Sequence, residues 1–568
     1  MILSEQRKEL IAEEGHLLIM GGPGAGKTTV ALLKANSLIS KNTIEKGQKI
    51  LFLSFARSTI SRIQEQAKGL INNERKDHIE INTYHGFIWK LLQNFGYLLC
   101  QQKEIKLLTP PMASAVLAEY EENHRSQVLE KLFWDDGLLS FEIFGSTTAR
   151  LFAESDRILR LYTSIYPTII VDEFQDTDIH EWTIIKLLGK YSTIVALADP
   201  EQRIYDFRGA SVSRIPEFIE HFNPKVFDFE QQNNRSSGKD IIKFGNDLLL
   251  SLNKGQIYTD VAVIKYAFNK NEPNKMLKIS IFNGIKRLKT SIGVGWSIAI
   301  LVRSKKMMLT VSAYLSSVTS LPAINHEVAI DPNGPSLAGI VIAALMEPAE
   351  DRTNRFFETS TNIINHIKGR SGDKMSSTSL QFTNAIENYL KTGKLTGKNR
   401  LKFIDELSLI IEKRETIIFV GIPEIDWLSI RSLFQNCENT YLKTVYEDAK
   451  YLRLLNKGAI LSERLTDKWR NSQTYAGAKV TIQDALLQEH FIATQSSYKG
   501  IHIMTLHKSK GKEFDEVFIW EDYYNPIVRR DANEKELIES RYLLRVGVTR
   551  AREKTTLLTV ASQPCILL

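Results

Sequence analysis

Two hydrophobic rhythms alternate along this chain. Short apolar runs bounded by turn residues stand at His16–Met20, Lys49–Ser54, Thr168–Val171 and Thr193–Ala198. They return at Ser297–Val302, Ile501–Thr505, Glu516–Trp520 and Thr555–Val560. Runs this short, rich in Ile, Val and Leu and followed by helical patterns, predict buried parallel strands of α/β units. Two stretches lack them, from about Phe87 to Tyr162 and from about Met346 to Glu489, and their patterns predict helices. The second is broken by polar residues at Ser371–Ser379 and by a basic, glycine-containing segment, KTGKLTGKNRLK, at Lys391–Lys402. No repeat of fixed short period is present. The pattern predicts two α/β domains, each interrupted by a helical insertion.

Length and composition add bounds rather than function. At 568 residues the chain exceeds what one hydrophobic core organises and suits three or four domains. Lys and Arg outnumber Asp and Glu by 73 to 66, a surplus compatible with a polyanionic partner and equally with an ordinary basic surface. Cys100, Cys437 and Cys565 are widely spaced and odd in number, so they predict neither a disulfide framework nor a metal site. The first residues carry charges throughout without a signal-peptide core, and no apolar run approaches the ~20 residues that span a bilayer. The ending CILL has the form of a prenylation box, but Cys565 follows a strand run and is expected in the core. A soluble cytoplasmic protein with no membrane partner is expected.

The chemistry begins at Gly21–Thr28, GGPGAGKT, placed directly after the run HLLIM and before the helical TTVALLKA. A glycine-rich loop between strand and helix presents backbone N–H groups and the positive end of the helix dipole to an anion. Gly21, Gly22, Pro23, Gly24, Ala25 and Gly26 form the cradle. Lys27 reaches the β- and γ-phosphates, the Thr28 hydroxyl holds Mg²⁺, and Thr29 continues the phosphate-facing helix start. The second element is YPTIIVDEFQDT, Tyr166–Thr177, where a strand delivers Asp172 and Glu173 at its carboxyl end. Asp172 is placed to bind Mg²⁺ and Glu173 to position and deprotonate the attacking water. The pair predicts an ATP hydrolase.

DEFQDT also resembles motif II of the UvrD/Rep/PcrA group of superfamily 1 helicases, and further segments resemble that family's motifs in order. Gln6, in LSEQRKEL, resembles the residue that reads the adenine edge. LFLSFARS at Leu51–Ser58 and NTYHGF at Asn82–Phe87 resemble DNA-contacting motifs. LADPEQRIYDFRGA, Leu197–Ala210, is similar to motif III, with Gln202 as γ-phosphate sensor. FEQQNNRSS, Phe229–Ser237, resembles motif IV, with Arg235 contacting phosphate, and IAILVRS at Ile298–Ser304 matches a strand of the second motor. IHIMTLHKSKGKEF, Ile501–Phe514, is similar to motif V, with Glu513 on the ribose. YLLRVGVTRARE, Tyr542–Glu553, is similar to motif VI, with Arg550 as a second arginine finger.

The resemblance implies two RecA-like P-loop motor domains with parallel sheets, each with a mainly helical insertion. The first motor takes residues 1–87 and 160–226 with insertion 88–159; the second takes 227–345 and 495–568 with insertion 346–494. It implies a DNA helicase or translocase moving 3′→5′ on single-stranded DNA and at single/double-strand junctions, using ATP and Mg²⁺, in repair, recombination or defence against foreign DNA. Implied DNA contacts are Phe55, Arg57, Tyr84, His85, Phe207, Arg208, Thr505 and His507, since a motor indifferent to sequence grips the backbone and stacks bases. Three positions depart from the family pattern: Asn234 and Arg545 replace aromatic residues, and Phe207 stands for Trp. With Asn234 beside the base, Tyr205 and Arg545 become candidates to cover it. An alternative is a translocase subunit that works with a separate nuclease or repair protein and unwinds poorly alone; a nuclease domain is not expected in the short segment after Arg550.

Overall fold

A computed structural model describes the chain except for residues 1–3, 23–24, 42, 55–56, 72, 103, 200–212, 230–239, 329–332, 371–374, 451, 453–459 and 492–497, and except for the side chains of 57–59, 61–62, 73–74, 460 and 486–491. The strands are β1 (Leu17–Met20), β2 (Ile50–Ser54), β3 (Ile79–Thr83), β4 (Lys106–Leu108), β5 (Leu138–Ser140), β6 (Thr168–Val171) and β7 (Thr193–Ala198). They continue with β8 (Lys225–Asp228), β9 (Val261–Tyr266), β10 (Ser297–Val302), β11 (Glu327–Val328), β12 (Gly500–Thr505), β13 (Phe514–Trp520) and β14 (Ala551–Val560). They build two six-stranded sheets, in the orders β3-β2-β6-β7-β1-β8 and β11-β12-β10-β13-β14-β9, and the small pair β4-β5. All pairings between these strands are parallel. Each large sheet therefore has one edge at which all its strands end, the edge where ligands of open α/β sheets collect. These are the two RecA-like motors.

Both sheets are buried where helices cover both faces. β2, β6, β10 and β13 are buried along their whole length, which is why their sequences are dominated by apolar residues, with Asp515 and Glu516 the charged exceptions in β13. The helix Glu534–Val548 lies against the second sheet through Gly547, where a Cβ would stand 2.5 Å from a Leu506 methyl and 3.3 Å from methyls of Leu301 and Ile519. The helix Lys275–Ser291 is tied to β13 by Arg287, which donates to both carboxylate oxygens of the buried Glu516 at 2.9 and 2.7 Å.

The chain divides into two compact units. One comprises Met1–Phe87, Thr148–Ile330 and Ala493–Leu568 and holds both large sheets; the other comprises Ile88–Thr147 and Asp331–Ile492. Residues 148–159 thus belong with the motors, because the helix Phe144–Glu154 sets Phe152 edge-on to Tyr162 beside the first sheet. Asn333–Met346, expected mostly within the second motor, is instead the central helix of the other unit. It is buried over its entire length and packed by the helices Arg352–Gly369, Thr440–Ala449, Ala478–Phe491 and Pro423–Ser432. The two insertions share this unit. Gly369 permits close approach to the backbone at Pro111 and Ala115, and the nearly buried Lys368 pairs with Glu119 at 2.5 Å and Glu387 at 2.6 Å. The first insertion is not wholly helical, since it carries β4 and β5. No helix among the described residues is long and apolar enough to cross a membrane.

Gly547→Val should cost the motor unit about 1–3 kcal/mol by overpacking a helix–sheet contact that has no spare volume. Urea unfolding followed on that unit should show a lower midpoint at unchanged slope. An unchanged midpoint would mean that the helix can lift from the sheet without penalty.

Candidate active site

The glycine-rich loop leaves β1 at the carboxyl edge of the first sheet. Gly21 donates its N–H to the Ala198 carbonyl at the end of β7 at 3.3 Å, and Ala25 donates to Gly22 at 3.3 Å. The helix Lys27–Ser40 is entered through Gly26 at φ 85°, a left-handed conformation that a side chain would penalise. Lys27 folds back over its own loop, its Nζ lying 2.5 Å from the Gly21 carbonyl and 3.2 Å from that of Gly22. The ammonium is thus centred in the backbone cradle, while Gly22, Thr28 and Thr29 are half-buried around it. Two residues of the first helix, Glu5–Ala12, tie it to the loop and to β8. Arg7 donates to the Ala25 carbonyl at 2.9 Å, and Gln6 Nε2 donates to the Asp228 carbonyl, at the end of β8, at 3.0 Å.

Asp172 follows β6 directly, is 4% exposed, and donates its N–H to the Leu53 carbonyl at 2.9 Å. Glu173 takes φ 54° and ψ 40°. A left-handed backbone at a residue with a Cβ costs about 1–3 kcal/mol and gathers at functional sites. The turn is held by Phe174, buried edge-on against Trp182 and Phe218, and by Gln175, which donates to Glu173 Oε2 at 2.6 Å and accepts from the Asp199 N–H at 3.0 Å. Burial acts to raise the Glu173 carboxyl; Lys510, Lys27, the Gln175 amide and Arg550 outweigh it and hold the group below the ordinary glutamate range. Asp176, in the same turn, is pushed up to about 7 by burial and by the nearby charges of Glu173 and Asp199, against the pull of Lys510.

The second sheet supplies the remaining cations. After β12 the chain makes a tight turn through His507–Ser509, and Lys510, 7% exposed, places Nζ 2.5 Å from Asp176 Oδ2. Arg550, just before β14, is 3% exposed; its Nε donates to the Val546 carbonyl at 2.8 Å and a terminal nitrogen donates to Thr549 Oγ1 at 3.1 Å, with its charge reaching Glu173. Glu513 faces Arg552 at 3.5 Å on the flank of this group. The structure therefore gathers Lys27 and Glu173 from the first sheet with Arg550 from the second, beside Asp172. Two participants went unrecognised in the sequence, Lys510 and Asp176. Both lie inside the quoted motifs, but nothing in either string signals that residues 334 positions apart form one buried pair.

The nucleic-acid candidates divide. Thr505 and His507 sit half-buried at the carboxyl edge of the second sheet, where burial, and then Arg303, lower the His507 imidazole and favour its neutral form. His85 is half-buried at the start of the helix Tyr84–Phe95. That helix begins closely against β3, since a Cβ on Gly86 would stand 2.3 Å from Asn82 Oδ1. Tyr84 is a correction: at 2% exposure it has no ring face to offer a base, and burial together with Glu181, Asp178 and Asp172 drives its hydroxyl far above the usual range. Arg545 is likewise removed as a cover for the nucleotide base. It is 1% exposed, donates to Asn246 Oδ1 at 3.0 Å, and packs its stem at Gly245. In the other unit, the basic segment Lys391–Lys402 spans the end of the helix Ser377–Thr392, a short connection with Gly393 at φ 69° and Gly397 at φ 102°, and the first turn of the helix Lys398–Glu415. Pro23, Gly24, Phe55, Gln202, Tyr205, Phe207, Arg208, Asn234 and Arg235 lie outside the described residues, as does the side chain of Arg57.

Comparison with known proteins agrees with this geometry. The UvrD/REP helicase N-terminal domain matches residues 3–117 and 100–223, and the UvrD-like helicase C-terminal domain matches residues 427–562. The chain is 24% identical to DNA helicase II of Rickettsia typhi over 97% of its own length and 90% of that protein. It is 22% identical to a probable DNA helicase II homolog of Mycoplasma genitalium over 97% of its length and 84% of the relative. Against the ATP-dependent DNA helicase PcrA of Staphylococcus aureus it is 22% identical over 43% of its length and 39% of that protein. With both helicase domains matched, and a phosphate cradle, an acidic turn and an arginine converging from two RecA-like sheets, the chain belongs to the UvrD/Rep helicase family and is an ATP-dependent DNA helicase.

Proposed function

We propose that this chain converts ATP hydrolysis into 3′→5′ movement along single-stranded DNA and opens duplex at single/double-strand junctions, in repair, recombination or defence against foreign DNA. The observation that carries the proposal is the surroundings of Glu173: Lys27 approaches it from the first sheet, Lys510 and Arg550 from the second. Charge developing on a transferring phosphoryl group is then neutralised by cations of both sheets, so hydrolysis and the approach of the sheets are coupled. Glu173 is the base: it accepts a proton from water as the water oxygen attacks the γ-phosphorus and the bond to the bridging oxygen breaks. A hydroxyl at a helix start and a carboxylate buried at a strand end are hard oxygen donors suited to Mg²⁺, so Thr28 and Asp172 would hold it; bound there, it neutralises phosphate charge. Gln6, its amide N–H engaged with Asp228, keeps an oxygen to accept from the adenine amino group.

Coupling to the track runs through one turn. His507, a proposed DNA contact, and Lys510, paired with the acidic turn, are joined by a backbone hydrogen bond of 3.3 Å from the Lys510 N–H to the His507 carbonyl. A strand that shifts His507 thus bears directly on the cation beside Glu173. The segment Lys391–Lys402 offers Lys394 in its exposed connection, and Lys398 and Arg400 at the start of the following helix, to duplex phosphates. We place the protein in the cytoplasm, where its three free cysteines stay reduced.

Lys27→Ala should abolish hydrolysis through lost phosphate binding, whereas Glu173→Gln should bind ATP and fail to turn it over, by at least about a hundredfold. Retention of parent turnover by Glu173→Gln would remove the base assignment. Single-stranded DNA should stimulate the ATPase, with affinity falling steeply as salt rises through counterion release. Strands carrying an end-attached fluorophore should report arrival at the 5′ end; arrival at the 3′ end would reverse the polarity. Lys510→Met should lower kcat by about tenfold or more with a smaller change in KM for ATP, and Lys510→Arg should recover part of it. A change confined to KM would reduce Lys510 to a binding role.

A further inference from the structure

The carboxyl edge of the second sheet carries a group of rings that the ATP chemistry does not use. Because β9, β10, β12 and β13 run parallel, the segments leaving Tyr266, Val302, Thr505 and Trp520 emerge along one edge. Phe268 follows β9, and Tyr523 and Tyr524 follow β13. The Phe268 and Tyr523 rings stack at 5.5 Å and 28°. Tyr524 stands across both, at 5.7 Å and 85° from Phe268 and at 5.2 Å and 78° from Tyr523. Tyr523 is 38% and Tyr524 66% exposed. Single exposed apolar residues are ordinary, but an interlocked set that holds its outermost ring mostly in water contributes little to burial.

The loop bearing these rings is fixed on every side. Asp522 Oδ1 accepts from the Tyr524 N–H at 2.8 Å and the Asn525 N–H at 2.6 Å. Ile527 donates to the Glu521 carboxylate at 2.7 Å, and the Tyr266 hydroxyl donates to the Glu521 carbonyl at 2.6 Å. Arg303, the first residue after β10, donates to the Pro526 carbonyl at 3.1 Å, and its charge also reaches His507. Arg530 lies 6.0 Å from the centre of the Tyr523 ring, and the exposed Lys306 follows Arg303 along the edge. A rigid aromatic platform flanked by cations, continuous through Arg303 with Thr505 and His507, matches what a single strand needs: π-faces for bases and positive charge for phosphates.

We infer that Phe268, Tyr523 and Tyr524 form a base-stacking platform on the second motor that extends the single-strand track beyond His507, with the exposed Tyr524 ring taking a base. The inference rests on the DNA-translocating function proposed above. Its specificity is low by construction, because every base has a π-face.

The test is equilibrium binding of the full chain to a fluorescent oligonucleotide at fixed salt, with thermal unfolding confirming that each variant is folded. Tyr524→Ala should weaken binding about tenfold, the loss of one base–aromatic stack, while Tyr524→Phe should bind like the parent. On a strand of abasic sites the parent and Tyr524→Ala should bind equally, since no base remains to stack. Arg530→Gln should lessen the salt dependence, which Tyr524→Ala should leave intact. Parent-like binding of Tyr524→Ala to the normal strand would overturn the platform, as would an equal deficit on the abasic strand. If the parent chain binds no single strand, the DNA-translocating function itself fails, an outcome separate from a silent Tyr524.

Discussion

Lys510 and Asp176 meet at 2.5 Å with side chains 5% and 2% exposed, one from the turn after β12 and the other from the turn after β6. An ion pair so deeply buried is poor as a source of stability, because desolvation of both partners offsets their attraction. Its importance shows when the pair is broken: Asp176 would remain buried beside Glu173 without the cation that faces it, and Glu173 would keep only Lys27 and Arg550. The acidic turn of one sheet therefore depends on a lysine of the other. The same lysine is three residues beyond His507, so nucleotide chemistry and the proposed track share a few ångströms of backbone.

That arrangement follows from parallel topology. Each sheet ends all its strands on one edge, and the residues that leave those ends carry the chemistry: the cradle after β1, Asp172 and Glu173 after β6, His507 and Lys510 after β12. The left-handed backbone at Glu173 is tolerated because Phe174, Gln175 and the hydrogen bonds of the turn leave it no other conformation. Strain at that position aims the carboxylate, and the surrounding cations keep it ionised despite its burial.

The insertions show a different logic. Asn333–Met346 is apolar on every face, so it forms the centre of a helical unit rather than a surface layer on a sheet. Lys368 between Glu119 and Glu387, with Asn333 donating to Ser114 at 3.0 Å, binds segments of both insertions into that unit. Strand-like runs are the marker by which motors can be told from insertions, and a uniformly buried helix carries no such marker.

What the sequence determined by itself was whatever rests on local pattern. Strands buried on both faces announce themselves as apolar runs, so β1, β2, β6, β7, β10, β12, β13 and β14 were legible, as were the glycine loop and the acidic pair between strand and helix. The strands of the two large sheets that escaped, β3, β8, β9 and β11, stand at sheet edges and are only partly covered; the short pair β4-β5 of the first insertion escaped as well. KVFD and IEINT do not read as core because only Phe227 of the first and Thr83 of the second are buried. Only the tertiary structure decided which side chains meet. It buried Tyr84 and Arg545, which their motif positions had suggested for ligand contact, paired Lys510 with Asp176, and raised Tyr524 on two other rings. Each outcome depends on residues far apart in the chain brought to one sheet edge, and local periodicity holds no information about such encounters.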